Sequence, residues 1–397
     1  MAADAGSRRV AARPVGAKRV MAGPVTTAPF PAQRFAAQLL TGKLASSPAD
    51  VASRLLAVQA QDARGARLAI RVRTSGLSAA DVDRALTEDR SLIITWLNRG
   101  TLHLVRNEDY WLLHRLTVRP QLHVGCLRIL AGSGVCEADA AKGVAVVEKA
   151  LAADGPLTRP QLANLISGAG LPASAALHVM MLTSLRRIAV RGPMIGAQHA
   201  YVHVRDWLGE PPPEPEPEAA LGWLARRYLA GHGPASDRDL AKWAGIPVGQ
   251  ARRGLAAIAP RLKDRQDGLA ELRSGAPDAG LPAPLLLGAF DPLLLGWASR
   301  EPIVGDHQEI VTSNGLFRPF ALVNGAAAGT WAWTDGRAVL NQWARLPEPA
   351  ESALAAEAQD VRRYLAAERE LDGPDNAVIE PAKTDDAGPA GGRREMA

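Results

Sequence analysis

Apolar positions recur along this chain at helical spacing in several runs and alternate in shorter ones. FAAQLL and SPADVASRLLAVQ carry the three-to-four-residue rhythm of amphipathic helices, and ARGARLAIRVR continues it. SAADVDRALTEDR follows, opened by Ser78 as an N-cap. SLIITWLNRGTLHLVR then gives two β-rich runs around Asn98-Arg99-Gly100, a hairpin signal. Helices followed by a short hairpin describe a winged helix-turn-helix.

The same grammar returns twice. Thr158 starts a helix that Gly168 and Gly170 end, and ASAALHVMMLTSLRRIAVRG then feeds the apolar hairpin MIGAQHAYVHV. Farther on, Ser236 caps DRDLAKWA, Gly245 stops it, and PVGQARRGLAAIAPRL and DGLAELRS follow. The pattern GP-(L/A)-(T/S)-x-x-(Q/D)-L-A at 155–163 and 233–241 is an internal echo that predicts tandem winged helices. Beyond Leu281 the pattern turns β-like, and ESALAAEAQDVRRYLAAERE closes it as a last helix. The expected fold is α+β, mainly α with β wings, ending in a β-rich unit.

The expected organisation is a disordered basic arm (1–30), a first winged helix (31–125), a second (126–208), a stiff Pro/Glu linker (209–218), a third winged helix (219–280), a β-rich unit with the final helix (281–371), and a disordered tail (372–397). At 397 residues and 47% hydrophobic content, the chain is long enough for two or three globular units and too apolar for full disorder. No apolar stretch reaches the length of a membrane span, and the basic start lacks an apolar core for export. The chain reads as a cytoplasmic protein. Cys126 and Cys136 are too few for a disulfide framework or a structural zinc site.

Of the 46 basic residues, 7 are lysine and 39 arginine, with a net charge of +5. Arginine forks suit phosphate and guanine edges, yet a GC-rich genome produces the same bias, so charge alone decides nothing. No phosphate loop, dinucleotide fingerprint, serine elbow or zinc-protease helix is present. No His grouping has zinc-ligand spacing, and His199 and His203 read as a wing face around Tyr201. No cofactor or metal is implied.

The unusual feature is Gln59-Ala60-Gln61-Asp62, at the end of an apolar helix. Polar residues two apart lie on one side of extended chain but on opposite sides of a helix. If the helix ends near Val58, both amides point into one cavity; alternatively the two glutamines simply solvate a helix terminus. Arg64 and Arg67 follow one turn apart and are candidate phosphate contacts. Arg99, Thr101 and His103 alternate beside the first hairpin turn, either as a DNA-facing side or as an exposed edge. Arg186 and Arg187 end the second unit's long helix, where cations also favour the helix dipole. Trp297 and Arg300 follow the DPLLLG turn, and Trp331 and Trp333 alternate in a strand as core residues.

VQAQDARGARLAIRVR with ITWLNRGTLHLVRNEDYWLL resembles the AlkZ-like (AlkZ/YcaQ-type) winged-helix DNA glycosylases. The resemblance continues through WLARRYLAGHGPAS, the FDPLLLGW–R segment (290–300) and VNGAAAGTW (323–331), and spans roughly residues 30 to 370. It implies that Gln59 and Gln61 form the family's catalytic motif, and that Trp297 and Arg300 lie on the lesion side. It places the chain with the Gln-x-Gln type, associated with self-resistance to DNA-alkylating natural products, rather than with the Gln-x-Asp type of general repair. Asp62 is one residue out of register and is not the catalytic acid. No lysine accompanies the motif, which argues against a Schiff-base lyase step.

The function implied is a monofunctional glycosylase acting on double-stranded DNA that carries bulky N7-alkylated purines, with interstrand crosslinks as a further substrate. The competing readings are a non-catalytic winged-helix regulator or lesion sensor, and a drug-sequestering protein. A regulator usually dimerises on a palindrome, whereas three unlike winged helices in one chain predict a monomer wrapped around one lesion.

Overall fold

Side-chain caps set the element boundaries in the computed structural model, which describes residues 30–276, 280–312 and 315–366. The basic arm (1–30) and the tail (372–397) expected at the ends therefore lie outside the described residues, Phe30 excepted. Helix α1 (Ala32–Ala37) precedes α2 (Pro48–Leu55), whose N-cap Ser47 accepts from Asp50 N at 3.1 Å. Leu56, fully buried at a φ of 66°, ends α2 and turns the chain into the two-residue strand β1 (Val58–Gln59). Helices α3 (Ala63–Arg71) and α4 (Ala79–Thr87) follow, the latter opened by a capping box between Ser78 and Asp81. Strands β2 (Leu92–Leu97) and β3 (Thr101–Arg106) form the first hairpin.

The second unit contains α5 (Tyr110–Thr117), α6 (Pro120–Gly132), α7 (Glu137–Asp154), α8 (Arg159–Gly168) and α9 (Ala176–Leu185). Its hairpin is β4 (Ala189–Ile195) and β5 (Gln198–His203), followed by a short α10 (Val204–Leu208). The two wings are not separate. β2 pairs with β4 through Ile94 and Arg191, which gives one antiparallel five-stranded sheet in the order β1-β3-β2-β4-β5. One core joins Val51, Ile70 and Trp96 to Cys126, Val147, Met180 and Tyr201. The boundary expected at 125/126 falls inside α6. A wing edge half-covered with apolar side chains is better buried against a neighbouring strand than left open.

Residues 210–216 are exposed and irregular, as a Pro/Glu linker should be, and Pro217 already begins α11 (Pro217–His232). The segment does not hold two halves apart. α11 packs on α2 so closely that a Cβ at Gly231 would collide with the Arg54 carbonyl. Helices α12 (Asp237–Ala244) and α13 (Val248–Ala257) complete the third helical unit, with Ser236 as N-cap and left-handed Gly245 as C-cap. The third hairpin is short: Leu262 pairs antiparallel with Leu272, flanked by the Lys263 N–Glu271 O and Arg273 N–Arg261 O bonds, and Ala270 bridges to Ala235.

The C-terminal unit is a four-stranded antiparallel sheet, β6 (Leu285–Leu287), β7 (Phe320–Val323), β8 (Ala326–Thr334) and β9 (Arg337–Gln342), in chain order. Between its first two strands lie the one-turn helices α14 (Pro292–Leu295) and α15 (Glu301–Val304), and α16 (Glu348–Leu365) packs on the sheet. Two buried arginines at the end of α3 fasten this unit to the first. Arg73 makes a two-pronged bond to Asp291 at 2.8 and 2.9 Å, with both side chains fully buried. Arg71 bonds Glu357 and Asp360 of α16, each at 2.8 Å, and the Leu286 carbonyl at the same distance. No helix among the described residues is long and apolar enough to cross a membrane.

Candidate active site

The early stop of α2 is what builds the site. Because helical geometry ends at Leu55, residues 58–59 run as a strand against β3, and Gln59 lies opposite His103. Side chains directly opposite in an antiparallel pair share a face. Gln61, two residues on, returns to that side, and Gln59 Nε2 donates a hydrogen bond to Gln61 Oε1. Both glutamines are 6% exposed, so the pair is not solvating a helix end. Asp62 points elsewhere, where it caps α3 by accepting from Gly65 N.

Arg99 completes the arrangement from the hairpin turn. Its Nη2 reaches Gln59 Oε1 at 3.4 Å, while Nη1 donates to the carbonyls of Trp243 at 2.5 Å and Lys242 at 3.3 Å. These carbonyls belong to the last turn of α12, the negative end of that helix. The turn sits directly on the α12 terminus: a Cβ at Gly245 would lie 3.2 Å from Arg99 N. Burial, and next the charge of Arg300, lower the Arg99 pKa to about 10, so it stays protonated at neutral pH.

His103 is held neutral. Burial first, and the Arg99 charge second, push its pKa down to about 3. Its Nδ1 lies 2.9 Å from the Thr101 carbonyl. A neutral ring donating there presents Nε2 as an acceptor. The site therefore offers neutral amides and a neutral imidazole at its centre with guanidinium charge at its edge. Such a set can orient a water molecule and shield developing charge, but it offers no strong acid at neutral pH.

This geometry sits on a chain that a family model, described as DNA glycosylase AlkZ-like, matches over residues 52–364. The chain belongs to the AlkZ-like DNA glycosylases. An interstrand DNA cross-link repair glycosylase from Streptomyces sahachiroi is 27% identical over 365 residues, covering 84% of this chain and 96% of that protein. The solved structure of Streptomyces sahachiroi DNA glycosylase AlkZ has the same fold, with a TM-score of 0.68 at 24% identity over 85% of this chain and 96% of that one.

Several residues expected to touch DNA in this AlkZ-like glycosylase are placed otherwise. Thr101 and His103 are buried, because their hairpin docks on α12 instead of standing free as a wing. Arg67 is 1% exposed and bonded to Asp83, so it is a strut between α3 and α4 and not a phosphate contact. Trp297 is buried as well: it donates to the His232 carbonyl at 3.0 Å and packs edge-on to Phe30, which removes it from any lesion side. Asp291 of the same segment is the partner of Arg73, so FDPLLLGW works chiefly as a clasp.

Arg300 is half-buried, with its guanidinium carbon 4.9 Å from the Phe317 ring centroid. Arg186 and Arg187 are both exposed at the end of α9, and Arg187 Nε donates to His114 Nδ1 at 3.1 Å. Arg64 lines a cavity of about 590 Å³ with Asp62, Arg318 and Trp333. Trp331 is core, its indole donating to the Leu287 carbonyl at 2.8 Å, and Trp333 packs half-buried against the same core; both line this cavity. Sequence reading missed the cavity because Asp62 and Arg318 are far apart in the chain and carry no spacing signal.

Proposed function

We propose that this glycosylase hydrolyses the N-glycosidic bond of N7-alkylated purines in double-stranded DNA, bulky adducts included. We further infer that it unhooks interstrand crosslinks and serves self-resistance to a DNA-alkylating natural product, acting as a monomer. The observation that carries the reading is the Gln59–Gln61 pair, two neutral amides bonded to each other on one side of a strand. The name of the Streptomyces sahachiroi relative, an interstrand DNA cross-link repair glycosylase, supports the crosslink part.

The chemistry suits neutral groups. An N7-alkylated purine is already cationic, so it departs with the bonding electron pair as a neutral base and needs no general acid. The sugar left behind is oxocarbenium-like, and water adds to C1′ and gives up a proton to solvent. An amide oxygen has two lone pairs, so Gln59 Oε1 can accept from that water as well as from Arg99. The amide dipoles also favour the positive charge growing on the sugar. A carboxylate could do the same, but it would attract the cationic ground state too.

The test compares base release from N7-methylguanine duplex, a bulky N7-adduct duplex and a crosslinked duplex by wild type and Gln61→Asp. Wild type should release all three. Gln61→Asp should keep or improve release of N7-methylguanine and shift the preference away from bulky adducts. Failure of wild type on every N7-alkylated duplex contradicts the substrate assignment.

A further inference from the structure

The third hairpin brings two arginines face to face. Arg261 and Arg273 stand opposite each other, since Arg273 N donates to the Arg261 carbonyl at 2.8 Å. Like charges in that position repel. With Arg54 from the last turn of α2 and Arg226 from α11, they line one cavity of about 390 Å³. Two of the four are fixed by backbone carbonyls: Arg54 Nη1 donates to Ala230 at 3.2 Å, and Arg273 Nε to Pro260 at 3.3 Å. Each keeps further N–H donors. Among the described residues no carboxylate lines this cavity, and none pairs with any of the four. Nearby acids serve other bases: Glu218 bonds Arg253, Asp237 bonds Arg252, and Asp267 and Glu271 bond Arg265.

The cavity continues into a second one. Arg226 and Arg261 also line an adjoining hollow of about 460 Å³, walled by Trp223 and by the engaged Glu218. Two hollows that share two arginines form a track, which suits a strand better than a single ion. The track is set apart from the glutamines. Its hairpin is tied through Ala270 to Ala235, which leads into α12, whereas Arg99, the partner of Gln59, bonds the last turn of that helix. Eight helical residues, about 12 Å of rise, lie between those two attachments.

We propose that this groove holds one backbone phosphate of duplex DNA outside the glutamine site. The phosphate supplies the anion that four guanidinium groups lack, and the planar fork of arginine takes it bidentately. Ser274 adds a hydroxyl donor, and Leu272 gives the attached sugar an apolar wall. Such a contact grips DNA flanking the lesion whatever its sequence, because no base edge is read. It goes beyond the glycosylase reading and is tested without a lesion.

The experiment uses the full chain and two undamaged duplexes, one just long enough for the glutamine site and one extended on both sides. Affinity is measured against salt for wild type, Arg261→Glu and Arg273→Gln, with thermal unfolding as the folding control. Arg261→Glu sets a carboxylate opposite Arg273 and should unfold no lower than wild type. Arg273→Gln tests the same groove without a new negative charge. Both variants should bind the extended duplex about three- to tenfold more weakly, with a salt slope flatter by about one. Both should bind the short duplex as wild type does. Equal losses on the two duplexes, or no loss on either, overturn the proposal. Inorganic phosphate that protects wild type from heat but not Arg261→Glu, with DNA affinity unchanged, would overturn the strand in favour of a free phosphate ligand.

Discussion

The arginines of α3 and the arginines beside the glutamine pair look alike in sequence and differ in kind. Arg67 and Arg71 project from the helix that follows the Gln motif, and Arg73 from the turn that ends it, where a DNA-binding reading would place phosphate contacts. Each instead meets a carboxylate from a distant part of the chain: Asp83 on α4, Glu357 and Asp360 on α16, Asp291 at α14. They are struts. Arg99 and Arg300, fewer and later, meet none among the described residues. A carboxylate partner marks these three as architecture, but its absence does not by itself mark function: buried Arg191 bonds Tyr201 Oη instead.

The contrast is most exposed at Arg73. Arg73→Ala leaves Asp291 buried without its counter-charge, and the expected cost is about 3–5 kcal/mol of stability in denaturant unfolding. A loss below about 1 kcal/mol would remove the strut assignment. Arg67→Ala should cost less, about 1–3 kcal/mol, since Asp83 can still reach water. Its folded fraction should bind DNA with an unchanged salt dependence; a flatter salt slope would make Arg67 a phosphate contact after all.

Smaller effects follow from the buried imidazoles. His103, His114 and His232 are each lowered to about 3, with burial the leading cause. The unfolded chain binds their protons near pH 6.5 and the folded chain does not, so their stabilisation is complete above 6.5 and is lost as pH falls towards 3. The slope is about 1.4 kcal/mol per pH unit for each histidine. His103→Gln should flatten the decline between pH 6 and 5 by one proton's worth, and an unchanged slope would contradict a neutral His103. The smallest effect belongs to exposed Arg186. Arg186→Ala should leave stability within about 0.5 kcal/mol and weaken damaged and undamaged duplex alike. Its salt slope should drop by about one, and a loss confined to damaged DNA would make Arg186 a lesion reader.

Much of this plan is legible in local sequence. Ser78, Thr158 and Ser236 cap the helices they predict, and the Asn98-Arg99-Gly100 turn closes the first hairpin. These are local events in which neighbouring residues carry the whole signal. The fused sheet is not local: it depends on Ile94 meeting Arg191, and either hairpin has the same pattern alone or joined. The stop at Leu56 is likewise imposed by packing, because leucine has no preference for a positive φ. The Gln pair stood out through its spacing and the family resemblance. The burial of Arg67 and Trp297 did not, since their partners Asp83 and His232 are named only by the fold.

The central claim is that Gln59 and Gln61 act together on one water. Single-turnover base release at saturating enzyme, by wild type, Gln59→Ala, Gln61→Ala and the double variant, tests it most directly. With fold and DNA affinity intact, each single variant should lose roughly 10²- to 10³-fold in rate, about 3 to 4 kcal/mol. The double variant should lose less than the product of the two. Rates equal to wild type in both single variants would contradict the account and return the two glutamines to a purely structural role.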